Sequence, residues 1–354
     1  MKKKIGIPDY IAAERTPVAP PFRLVNCGKA AFGTFNAPIP DINMIDAAKP
    51  CGPFMPDFMK RSRLTAWEAF EIAMDEGILV SAVYNMGGSF GFSICSWFDK
   101  STKKVSTWIN PAPGMFAKVA DNLIDSTTKL VTPFSSYVIE NHFQNHTCTA
   151  RCSTSNPISG KFAFDMSITG LSPASIVSIP FDTNKPLYSQ KEFFKAEGTV
   201  TVGGKTFRTN ERSVVIIDDH KGFYPFFAHY DWVTSFGLTE IKGKQQYIAF
   251  NLTANQSTDA DRYNENILWL EGRAIALPPV AFTHENDRLW HAKDAFGQVD
   301  ITFEIDEISL TKVEPVVNYA LTYGKIKGTI KDYDGTVYDF TGMDGIGEDK
   351  TTRI

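Results

Sequence analysis

Cysteine is scarce in this sequence: Cys27, Cys51, Cys95, Cys148 and Cys152 are the five thiols in 354 residues. An odd, sparse set excludes a disulfide framework and predicts reduced thiols in a cytoplasmic protein. Excess charge is missing too. The 36 Lys and Arg nearly balance 40 Asp and Glu, for a net charge of −4. That balance argues against a nucleic-acid partner, which needs clustered positive charge. The start, Met1-Lys2-Lys3-Lys4, has no apolar run before Asp9 and does not read as a signal peptide. Without secretion, the glycosylation-like triplets at Asn145, Asn251 and Asn255 carry little meaning.

Several catalytic signatures are absent as well. The sequence holds no G-x-x-x-x-G-K-[ST], no strand-linked G-x-G-x-x-G, no H-E-x-x-H and no G-x-S-x-G. Nucleotide, hydride and serine-hydrolase chemistry thus have no support, and no cofactor is expected. Lys60, Arg61 and Arg63 form a short basic cluster that reads as a solvated patch. One uncharged run, residues 77–98, is long enough to cross a bilayer. Its centre, Asn85-Met86-Gly87-Gly88, is a turn sequence, so two buried strands are expected there and no membrane span.

What the chain has in quantity is aromatic residues, with 27 Phe, 12 Tyr and 6 Trp beside 25 Gly and 20 Pro. Residues 1–55 are Pro- and Gly-rich, lack periodicity and are expected to drape over the surface. Residues 67–77 fit a short helix by propensity, yet Phe70, Ile72 and Met74 alternate with Glu71 and Ala73 as a strand would. Turn signals then recur: Gly203-Gly204, Lys242-Gly243, Glu271-Gly272 and Asp334-Gly335, each between short β-branched or aromatic runs. Such spacing, without βαβ alternation or heptads, predicts an all-β protein of antiparallel strands in a sandwich or barrel. The polar stretch 188–198 is the expected junction. It divides a β-half over 56–187 from one over 188–345, with a tail at 346–354.

The densest chemistry lies between Val214 and Gly237. An apolar strand ends in Asp218-Asp219-His220-Lys221-Gly222, Tyr224-Pro225 breaks the chain, and a second strand follows. On that second strand His229 and Asp231 share one face, and Tyr230 and Trp232 share the other. A carboxylate two residues from an imidazole can orient the ring and raise its basicity, as a general base requires. A solvent-facing polar stripe is the plainer explanation. Tyr230 and Trp232 are either core or the wall of a pocket.

A second cluster, His142, His146, Cys148 and Cys152, puts four metal-competent side chains within a short segment. As one strand, the outer pair would stand roughly 33 Å apart at about 3.3 Å per residue. A tetrahedral site would need the segment to fold back, and the gaps match no usual zinc spacing. No metal is expected there.

The segment from Asp218 through Gly222, Tyr224, Pro225 and Phe226 to Tyr230, Trp232 and Gly237 resembles the domain-of-unknown-function family 2804. That family carries D-x-G-x-G-x-W-P-Y running into W-x-W. Upstream, Gln190-Lys191 to Gly198 is similar to its Q-x-K stretch. Downstream, Glu265-Asn266 to Gly272-Arg273 resembles E-N-x-x-x-x-D-G-R, and Gly345 to Glu348 its closing G-x-x-E. Gly28, Gly33 and Pro38 fall where the family has a G…G…P pattern. The chain departs from the pattern with Tyr at 224 and 230, and with His220 where a glycine is usual. His229 and Asp231 stand at positions commonly aromatic in the family.

The family looks related to the calycin-like proteins, which include lipocalins and carotenoid 1,2-hydratases. The resemblance implies two lipocalin-like β-halves meeting around an apolar cavity. Three functions follow as expectations. The first is binding of a small apolar or isoprenoid-like molecule, with Tyr224, Tyr230, Trp232, Glu265 and Asn266 at the ligand. The second is a hydratase, isomerase or lyase using Asp218, His229 and Asp231 at the same cavity. The third is a structural or interaction protein whose aromatics are only core.

Overall fold

The computed structural model of the protein describes residues 15–241 and 243–353. The amino-terminal Met-Lys-Lys-Lys segment and Lys242 therefore lie outside the described residues.

The described strands are antiparallel and lie in two large sheets and one small two-stranded sheet, Val25–Asn26 with Lys29–Ala30, joined by loops and short 3-10 turns. The first sheet runs in the order Lys104–Pro113, Phe90–Asp99, Gly77–Met86, Leu64–Ala73, Val214–Phe223, Pro186–Val202, Gly160–Gly170, Thr147–Asn156, Ser136–His142, Ser126–Val131 and Ala117–Lys118. It curls until its ends meet. Asn85 donates to the Ala117 carbonyl at 2.6 Å, and Trp108 donates to the Gly160 carbonyl at 2.9 Å. Side chains, not a backbone ladder, thus close this nearly complete barrel. Phe70, Trp97, Trp108, Phe164 and Phe194 fill its interior.

The second sheet orders Arg273–Ala276, Ile267–Leu270, Lys244–Ala254, Phe227–Ile241, Asp344–Arg353, Val317–Lys331, Val299–Val313, Leu289–Asp294 and Val280–Asn286. This half-barrel wraps its own core of Phe250, Leu252, Trp290, Phe303 and Phe340. The all-β expectation of two antiparallel β-halves holds.

The undecided segment at 67–77 is a strand, Leu64–Ala73, buried over most of its length. The uncharged run at 77–98 forms two strands, Gly77–Met86 and Phe90–Asp99, around a turn at Gly87-Gly88. Among the described residues, no helix is long and apolar enough to cross a membrane. The turn at Gly203-Gly204 has φ of 58° and 89°, in the left-handed region that glycine reaches most cheaply.

Two segments differ from the sequence-based division. Pro186–Val202 and Val214–Phe223 both belong to the first sheet, so the chain changes sheet at 224–226. The final strand, Asp344–Arg353, is no tail: it pairs with Phe227–Ile241 and Val317–Lys331 inside the second sheet. Both depend on long-range pairing, which local turn signals do not encode.

A third core joins the halves. Val80, Phe98, Phe193 and Ile216 from the outside of the first sheet pack on Trp232, Phe236, Trp269, Leu321 and Tyr323 of the second. For this reason the Val214–Phe223 strand is buried at every position, one face inside the barrel and the other at the seam.

Candidate functional site

Strand register explains which side chains converge at the seam. On the first sheet Trp67 stands opposite His220, and Tyr84 opposite Trp67. The row continues to Ser189 on one side and Phe92 on the other. One step deeper comes Lys191, Asp218, Ala69 and Ala82, then Phe193, Ile216, Glu71 and Val80. On the facing sheet Tyr230, Lys350 and Tyr319 form one row, and Trp232, Glu348 and Leu321 the next.

Four charged groups knot together. Lys191 Nζ donates to Asp218 Oδ2 at 2.6 Å and lies 3.4 Å from Glu265 Oε2. His220 Nε2 contacts Asp218 Oδ1 at 3.0 Å and Glu265 Oε2 at 3.1 Å. Glu265 also accepts from Ser189 at 3.2 Å and from Asn255 at 3.0 Å. Lys191, Asp218 and His220 come from the first sheet. Glu265, from the loop before Ile267–Leu270, joins the knot from the second half.

Burial works against each of these charges, yet their mutual attraction outweighs it. His220 rises to about 9 and so is an imidazolium at neutral pH. Glu265 falls to about 2, and Asp218 drops below the usual carboxylate range beside His220 and Lys191. Lys191 moves up, held by Asp218 and Glu265. Glu71 goes the opposite way, pushed well up by burial and by Asp218.

Aromatic rings wall this knot. His220 stacks on Trp67 at 4.7 Å between ring centres, and Tyr224 stacks on Trp67 at 5.6 Å. Tyr230 and Tyr319 donate to opposite oxygens of Glu348 at 2.6 and 2.5 Å. Trp232 donates to Asn251 at 2.6 Å. Tyr84, Tyr224, Tyr230, Tyr319, Glu348 and Lys350 are only half-buried, so solvent reaches this end of the seam. His220 Nδ1 and Nε2, Asp218 Oδ1, Tyr224 Oη and Glu71 Oε2 are buried atoms without a well-aligned hydrogen-bond partner, so His220 meets Asp218 and Glu265 as ion pairs by distance.

Of the sequence-derived residues, the structure brings Asp218, Tyr224, Tyr230, Trp232 and Glu265 together. Asn266 plays a different part: its side chain donates to the Pro278 carbonyl and accepts from the Thr253 amide, tying loop to strand. His229 and Asp231 lie on the other face of their strand, with Asp349 and His284. His229, Asp231 and Asp349 offer three donor atoms within 4.8 Å of one another. This grouping is separate from the Asp218 knot.

The chain around His142 does fold back, through a turn with His146 at φ 52°. Its four side chains still diverge. His142 bonds Asp125 and His146 bonds Glu192, while Cys148 and Cys152 point into the barrel core. Sequence reasoning assigned no role to Trp67, Tyr84, Lys191, His220, Tyr319, Glu348 or Lys350. Lys191 and Glu348 nevertheless stand within the stretches that carry the family resemblance.

The family model described as "Domain of unknown function (DUF2804)" matches residues 19–354. The chain belongs to this family. Its glycine at 222 has a direct physical reason, since a Cβ there would come within 2.8 Å of Leu187. No curated protein matches the chain. Among solved structures it is similar to kievitone hydratase from Nectria haematococca, with 15% identity, TM-score 0.43, and coverage of 82% of this chain and 88% of that one. It is also similar to CghA solved with Sch210972, with 10% identity, TM-score 0.43, and coverage of 83% and 89%.

Proposed function

We propose that the seam between the two halves of this DUF2804 protein binds a small, largely apolar molecule bearing an oxygen function. One observation carries this reading. His220 Nδ1 and Tyr224 Oη are buried and unpartnered beside the same indole, Trp67. Natural proteins pair roughly 90% or more of their buried polar groups, so two unpaired atoms beside one indole favour a ligand or ordered water there. Trp67, Tyr84 and Tyr230 offer rings to an apolar body, while Ala69 and Ala82 keep the adjoining row short; Trp232 itself is packed in the core that joins the halves. Native mass spectrometry of freshly purified protein, followed by extraction, tests this. A bound apolar molecule of a few hundred daltons is expected. A consistently empty protein that also fails to take up apolar alcohols would overturn the reading.

A second reading, proton-transfer catalysis of hydratase, isomerase or lyase type, is favoured by the state of His220. Asp218 and Glu265, 3.0 and 3.1 Å from Nε2, favour the imidazolium by their charge, and an Nδ1–H without a protein partner could protonate a substrate. Under this reading His220 takes the part that sequence analysis gave to His229. Turnover that collapses in His220→Gln and Asp218→Asn, with the fold intact, is the expected result. Turnover unchanged in both variants would contradict it.

A further inference from the structure

Lys350 has the most unusual surroundings of any cation at the seam. Its Nζ lies 5.4 Å from the centre of Tyr319, 5.7 Å from Trp67, 5.8 Å from Tyr230 and 5.9 Å from Tyr84. Two of these rings come from its own sheet and two from the facing one. No hydrogen bond and no ion pair reaches Nζ among the described residues. Ring faces favour a cation but accept little hydrogen bonding, so the ammonium donors are left to water or a ligand.

The neighbouring charges do not supply the missing partner. Lys191 and His220 are already matched by Asp218 and Glu265 at 2.6–3.4 Å. Glu348, two residues from Lys350 on the same face, accepts from the Tyr230 and Tyr319 hydroxyls, and although its charge favours the ammonium the two form no ion pair. Lysines that leave water are almost always paired. Lys350 is half-buried, and so are Tyr84, Tyr230 and Tyr319, so the amine is not sealed from solvent.

The geometry points to a carboxylate on the apolar ligand, with Lys350 as its counter-ion inside the four-ring enclosure. This assignment rests on the seam being the ligand site. The ligand class it names is an apolar acid, its hydrocarbon part against Trp67, Tyr84 and Tyr224 and its carboxylate at Lys350. The ammonium gains an acceptor, and the carboxylate gains a charge-assisted bond between aromatic rings.

Matched ligands separate the two levels of the claim. Farnesoic acid against farnesol, and geranic acid against geraniol, are titrated into wild-type, Lys350→Met and Lys350→Arg protein by calorimetry at pH 7.5. Wild-type protein should prefer each acid by about tenfold, the size of one charge-assisted hydrogen bond. Lys350→Met should erase the preference and leave alcohol binding in place, and Lys350→Arg should keep most of it. Equal affinity for acid and alcohol in the wild type, a comparison that needs no variant, overturns the carboxylate assignment and leaves the seam site standing. A preference that survives in Lys350→Met does the same. Failure of all four compounds to bind folded wild-type protein overturns the seam site and the assignment with it.

Discussion

His220 Nε2 lies 3.1 Å from Glu265 Oε2 across the seam, and this contact ties the nearly closed barrel to the half-barrel. Both residues are at least nine-tenths buried. The charge knot is therefore part of the interface as well as part of the candidate site.

Breaking the knot from one side should be severe. Lys191→Met strands Asp218 and Glu265 with His220 as their one close cation. Removing one partner of a buried pair costs roughly 3–5 kcal/mol. Urea unfolding should show a loss of that order, while Lys350→Met, which breaks no ion pair, should change stability far less.

The pH dependence of stability has a definite sign. His220 is raised from 6.5 to about 9 in the folded state. Its stabilising contribution is thus fully present below pH 6.5 and is lost as pH rises through 9. The stability difference between wild type and His220→Gln should be constant below pH 6.5 and shrink steadily toward pH 9. A difference that grew with pH would show that the ring is buried neutral.

Glu265 works in the other direction. Its folded value of about 2 lies below the ordinary 4.5, so its contribution is present above pH 4.5 and fades as pH falls through 2. Glu265→Gln should flatten the acid limb of the stability curve, measured by thermal melts between pH 2 and 5.

His229→Ala separates the two faces of one strand. His229 Nδ1 contacts Thr351 at 3.1 Å on the face away from Trp232. The variant should bind apolar alcohols with unchanged affinity, whereas Trp67→Ala should weaken them about tenfold, the scale of one lost aromatic wall. Equal losses in both would mean the ligand sits on the His229 side.

The fold class was legible because turn chemistry is local. Gly203-Gly204, Glu271-Gly272 and Asp334-Gly335 each announce a hairpin without help from distant residues. Half of the site was legible for a similar reason: alternation placed Tyr230 and Trp232 on one face. The rest depends on strands brought together from far apart. Trp67 and Glu71 lay in a segment whose strand character needed its partner Val214–Phe223 to appear. Lys350 acquires meaning only beside Tyr230 and Tyr319, and periodicity within one strand cannot show that row. His220 was visible as a departure from a family glycine. Its role required Glu265 from the other half.

Photoaffinity labelling tests the central claim most directly. A diazirine analogue of farnesol, irradiated on the purified protein and mapped by peptide mass spectrometry, reports where an apolar guest rests. Adducts should concentrate at Trp67, Tyr84, Tyr224, Tyr230 and Tyr319, and unlabelled farnesol should compete them away. Competed labelling of barrel-core residues such as Trp108 and Phe164, with none at the seam, would contradict the account.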